Sequence, residues 1–79
     1  MVTEDAALIG ERTQPDPLPP EEEIQVMTLI VSGLTDQAIA RRLGVSVITV
    51  RRRATRFRHR MGASTRIEAA VIAAKRGIL

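Results

Sequence analysis

Four glycines, at positions 33, 44, 62 and 77, cut most of this chain into short segments, each with an apolar residue every three or four positions. A glycine just past the last periodic residue is a helix stop. A chain punctuated this way folds as short helices packed on one another. The first segment opens at Pro20, which suits a helix start, and Glu21, Glu22 and Glu23 follow where the helix dipole favours negative charge. Ile24, Met27, Ile30, Val31 and Leu34 then supply one apolar face, and Gly33 ends the helix. Thr35 caps a second helix, Asp36 to Leu43, which Gly44 stops. Ser46 caps a third, about 47–61, with Val50, Ala54, Phe57 and Met61 on one face. Ser64 or Thr65 caps a fourth, whose apolar stripe is Ile67, Ala70, Val71 and Ala74 before Gly77. The expected fold is all-α, four helices, over residues 18–79. Residues 1–17, which run into the Pro15 to Pro20 stretch, read as a disordered or extended N-terminal arm.

Composition excludes several classes of function. Seventy-nine residues make one small domain, with too little buried surface for a catalytic cleft and its walls. There is no cysteine, hence no disulfide or thiolate metal site, and Phe57 is the only aromatic. The single histidine, His59, has no acid or second histidine beside it. Paired carboxylates and nucleophile–base sets are absent, so neither an enzyme, a metal site nor a cofactor is expected. No apolar run approaches the ~20 residues that span a bilayer, and no signal-peptide pattern follows Met1. The chain reads as soluble and cytoplasmic, associated with the nucleoid.

The net charge of +3 conceals a division. Residues 1–23 carry seven acids against Arg12 alone, a balance of −6, while residues 24–79 carry eleven bases against Asp36 and Glu68, a balance of +9. A basic body points to a polyanionic partner. The acidic arm is expected to compete with that partner for the basic helix.

The segment from Asp36 to Thr55 is the informative one. Two helices joined only by Gly44, Val45 and Ser46 must cross steeply, the geometry of a helix-turn-helix. Ala40 faces the crossing, where a larger side chain would push the helices apart, and Ile39, Leu43 and Val50 close the wedge. On the third helix Val50, Ala54, Phe57 and Met61 fall within about 60° of one another at 100° per residue. The rest of that helix carries Arg51, Arg52, Arg53, Arg56, Arg58 and Arg60, with no acid among them. A solvated face would mix both signs. A membrane-surface helix would need a wider apolar face than this one, which the domain core already uses. Arginine suits bidentate contact with phosphate and with guanine O6 and N7.

Residues from about 20 to 79 resemble the C-terminal DNA-binding domain of LuxR/GerE/FixJ-type transcriptional regulators, including those of the NarL type. The resemblance rests on the run from Gly33 to Ser46 (GLTDQAIARRLGVS), on Thr49-Val50-Arg51, and on the run from Met61 to Ala70 (MGASTRIEAA), without a gap. It implies a four-helix domain whose third helix enters the major groove of double-stranded DNA. It also implies a homodimer through the fourth helix, placed on Val71, Ala74 and Lys75. Carried over position by position, base reading falls on Arg51, Arg52 and Thr55, and phosphate contact on Ser46, Thr49, Arg56, Arg60 and Arg66. The chain departs from the pattern at Arg53, where the family usually has histidine, and at Pro20, where it has a Ser or Thr cap. It departs again at Val47 and Ile48, apolar where polar residues are common, so the helix start meets either thymine methyls or a partner protein. Most members carry a receiver or ligand-binding domain upstream; a stand-alone regulator and an excised domain remain alternatives here. A competing reading is a protein-interaction module similar to the promoter-reading region of sigma factors, touching RNA polymerase. Its motivation is the Val47-Ile48 pair and the Ile78-Leu79 end.

Overall fold

A computed structural model gives the architecture and describes residues 18–79. The arm expected over residues 1–17, with its competition for the basic helix, lies outside the described residues. Four helices follow in order: α1 (Glu21–Val31), α2 (Asp36–Leu43), α3 (Val47–Arg60) and α4 (Arg66–Lys75). No strand occurs among the described residues. The all-α, four-helix expectation holds.

Each start has a local cause. The Pro20 carbonyl accepts the first turn of α1 from Glu23 N and Ile24 N (3.0 and 3.2 Å) without a side-chain cap. Thr35 Oγ1 accepts from Ala38 N at 3.1 Å, and Ser46 Oγ accepts from Thr49 N at 3.0 Å. For α4 the cap is Thr65, whose Oγ1 accepts from Glu68 N at 3.0 Å. Glu68 Oε1 reaches back to accept from Ser64 N at 2.7 Å, a reciprocal pair close to a capping box. Between α2 and α3 the chain turns at Gly44, with φ +71° and ψ +33°. That left-handed conformation lets the Gly44 and Val45 N–H groups both donate to the Ala40 carbonyl, which closes α2 inside the three-residue turn.

Helix α3 is the hub and packs against all three others. Its Val50, Ala54 and Phe57 are buried, as the spacing predicts, with Met61 just past its end. They meet Val26 and Met27 of α1, Ile39 and Ala40 of α2, and Ala69, Ala70 and Ala73 of α4. Ala40 is buried in the expected way, which keeps the α2–α3 approach close. Val47, Ile78 and Leu79 are partly buried against this core. Of the residues that motivated the interaction-module reading, only Ile48 stands free of it, 68% exposed.

Two faces differ from expectation. On α1 the fully buried residues are Glu23, Val26 and Met27; Ile24, Ile30 and Leu34 pack against the core as expected, whereas Val31 is 60% exposed. The helix is rolled so that Glu23 turns inward, toward the end of α3. On α4 the contact is made by alanines, and Ile67 and Val71 face outward at 61% and 48% exposure, with Ala74 exposed beside them. Alanines let α4 approach α3 closely and leave Ile67 and Val71 outside the core, while Ile72 is partly buried against it. No helix of the described residues is long and apolar enough to cross a membrane.

Candidate nucleic-acid interface

The side of α3 opposite its core stripe is an open face formed by Ile48, Arg51, Arg52, Thr55, Arg56, His59 and Arg60. All seven are exposed. The structure thus brings together the three residues expected to read bases with two of those expected to hold phosphate. Ser46 and Thr49 sit at the start of α3. Arg66 stands across a second, smaller hollow that it shares with Thr55, Arg58, Ser64 and Thr65.

The arginines divide by their partners. Arg52, Arg53 and Arg56 have no ion pair among the described residues. Arg58 is partly buried and donates from Nη1 to the Ala63 carbonyl at 3.0 Å, tying α3 to the turn before α4. Arg60 donates from Nε and Nη2 to the two carboxylate oxygens of Glu23 (2.8 and 3.2 Å). Glu23 is 2% exposed, so Arg60 neutralises a carboxylate that would otherwise be buried alone. The hydrogen bonds that Arg60 donates to Glu23, and then the Glu23 charge, raise the Arg60 pKa. Neither hydrogen bond uses Arg60 Nη1.

Arg51 and Arg66 share Asp36, at the start of α2. Arg66 donates from Nη1 and Nη2 to Asp36 Oδ1 and Oδ2 (2.8 and 3.4 Å), and Arg51 Nε approaches Oδ2 at 3.4 Å. The Arg51 side chain is still 65% exposed. Held through Nε, it keeps both terminal nitrogens for a contact outward. The Asp36 carboxyl lies below its usual 3.8 through the Arg66 hydrogen bond first, with both arginine charges and the Arg51 hydrogen bond adding to it against burial. A carboxyl whose pKa is lower in the folded state stabilises the fold above its unfolded pKa, and that contribution disappears as pH falls through the folded value. The melting temperature of wild type should therefore exceed that of Asp36→Asn near neutral pH. The gap should close as pH is taken below 4. An equal gap at pH 7 and pH 2 would show that the pairing carries no charge-dependent stability.

Sequence periodicity did not reveal Asp36 or Glu23 as partners of the arginines. They lie 30 and 37 residues from Arg66 and Arg60, beyond any local pattern. Thr49 and Ser46 form a smaller unit. Ser46 Oγ donates to Thr49 Oγ1 at 3.0 Å while accepting from Thr49 N, so the Thr49 hydroxyl proton is left to donate elsewhere. His59 accepts at Nε2 from Arg58 Nη2 (3.1 Å). Among the described residues no group of three or more His, Cys, Asp or Glu could hold a metal ion.

On α4, Val71, Ala74 and Lys75 are exposed. Val71 and Ala74 line an apolar groove with Ile30, Val31, Ile67, Ala70 and Leu79, while Lys75 is not part of its lining.

Residues 21–73 match the family model described as GerE, bacterial regulatory proteins, luxR family. The chain is also 46% identical over 59 residues to the transcriptional regulatory protein YdfI of Bacillus subtilis (strain 168). That overlap takes in 75% of this chain and 28% of YdfI, so the chain spans less than a third of that relative's length.

Proposed function

The chain belongs to the luxR family of bacterial regulatory proteins and carries its DNA-binding helix-turn-helix. On that premise we propose that residues 18–79 form a sequence-specific reader of double-stranded DNA, with α3 in the major groove. The observation that supports this most is the acid-free outer face of α3, where Arg51, Arg52, Thr55 and Arg56 stand exposed side by side. The two acids that pair with α3 arginines, Asp36 and Glu23, come from other helices and leave Arg52 and Arg56 for the partner.

In this reading Arg51, Arg52 and Thr55 meet base edges, and Arg51 reaches a guanine with the two nitrogens that Asp36 does not hold. Thr49, through its remaining hydroxyl proton, Arg56 and Arg60, through Nη1, fix the register on phosphate. Ser46 acts through Thr49. Arg66 keeps Asp36 in place and adds positive charge beside Thr55. Selection of bound sequences from a random duplex pool tests the reading: one recurrent sequence is expected, and a pool that never departs from random would refute it.

Two copies would pair through the exposed apolar groove of α4, on Val71 and Ala74 of its lining, with Lys75 exposed on the same helix. Val31, Ile67 and Val71, three of the five large apolar side chains most exposed among the described residues, lie in this one groove. Val71→Glu should then abolish dimers in sedimentation and lower affinity for a two-half-site duplex by about 100-fold. Binding to a single half-site should stay as in wild type. Undiminished binding to the two-half-site duplex would place the pairing face elsewhere.

A further inference from the structure

Ile48 has no structural task to explain its position. Its neighbour Val47 is partly buried against the core, but Ile48 is 68% exposed in the first turn of α3. Of the other strongly exposed large apolar residues, Val31, Ile67 and Val71 share the α4 groove. Ile48 stands apart from them, on the exposed face of α3 that carries Arg51, Arg52, Thr55 and Arg56. At 100° per residue it lies within about 60° of Arg51, Arg52 and Thr55, on the same stripe. An apolar side chain set among cations fits a partner that is anionic overall and apolar at one point.

We propose that Ile48 is a specificity-determining residue that packs against the C5 methyl group of a thymine in the major groove. The inference rests on the DNA reading above and adds to it one base and one atom. On base edges in the major groove the thymine methyl is the apolar group, so an aliphatic side chain there selects thymine where a polar one could not. Residues in the first turns of a recognition helix are the ones that reach base edges. With 1.5 Å of rise per residue, three or four residues separate Ile48 from Arg51 and Arg52 by about 5 Å along the helix. The thymine should therefore lie about one or two base pairs from the base that Arg51 reads.

The test uses the full chain and its selected duplex, with each thymine replaced in turn by deoxyuracil, which lacks only the C5 methyl. Wild type should lose about three- to fivefold in affinity at one thymine of each half-site, the effect of leaving one methyl unburied. Ile48→Ala should bind the thymine and uracil duplexes equally, and Ile48→Val should retain part of the difference. Being exposed, the position should leave the melting temperature unchanged in both variants. Indifference of wild type to uracil at every position, or an Ile48→Ala chain that still senses the same methyl, overturns the assignment. If selection enriches no sequence at all, the DNA reading falls with it; if it enriches one that shows no methyl effect, the thymine assignment falls alone.

Discussion

Phe57→Ala is expected to remove most of the domain's stability at 25 °C. Phe57 is the largest of the fully buried side chains and the sequence's single aromatic. It lies on α3, which packs against all three other helices. Truncation of a buried phenylalanine costs about 3–5 kcal/mol, through lost transfer free energy and the cavity left behind. A domain of this size sits toward the lower end of the usual 5–15 kcal/mol of stability. The other core residues, mostly alanine, valine and methionine, have no comparable volume with which to refill the site. Helical circular dichroism followed on heating would show a transition lost or shifted by tens of degrees. A variant that melted within a few degrees of wild type would mean that the core lies elsewhere.

The second large effect separates two kinds of arginine on one helix. Arg51→Ala should cost about 1–3 kcal/mol on the selected duplex and flatten the base preference at one position. Arg56→Ala should weaken every duplex by a similar factor and leave the preferences as they were. Arg56 is the cleaner phosphate probe because Arg60 has a second task. Removing Arg60 would leave Glu23 buried without its partner, so an affinity loss in Arg60→Ala would mix folding with binding. Binding of single-base variants of the duplex to Arg51→Ala and Arg56→Ala distinguishes the two. Identical profiles for both would remove the division between base reading and phosphate contact.

How much of this was legible in the sequence depended on the range of the signal. The helices are local objects, so the glycine stops, the caps at Thr35 and Ser46, and the three-and-four spacing on α3 were enough to place them. The inward face of α4 was not legible by the same means. From Ile67 to Ala74 all residues but Glu68 are apolar, so hydropathy gives no preferred side and points to the larger Ile67 and Val71. What decides the matter is the close approach to α3 that Ala69, Ala70 and Ala73 permit, a tertiary effect. The roll of α1 was hidden for a related reason. Glu23 reads as a dipole charge at a helix start, and its burial makes sense only with Arg60 opposite. The exposed positions of Arg51, Arg52, Thr55 and Arg56 followed from the helical period, whereas the anchoring of Arg51 by Asp36 did not.

A salt titration shows whether the outer face of α3 binds the DNA backbone while reading its bases. The affinity of the chain for its selected duplex would be measured across a range of salt concentrations, for wild type and for Arg56→Ala. Two cationic phosphate contacts per protomer, from Arg56 and Arg60, predict that log K falls against log salt with a slope of about −2 for one half-site. Arg56→Ala should make that slope shallower by about 1. A wild-type slope near zero, or one that Arg56→Ala leaves unchanged, would mean that α3 does not hold the DNA backbone.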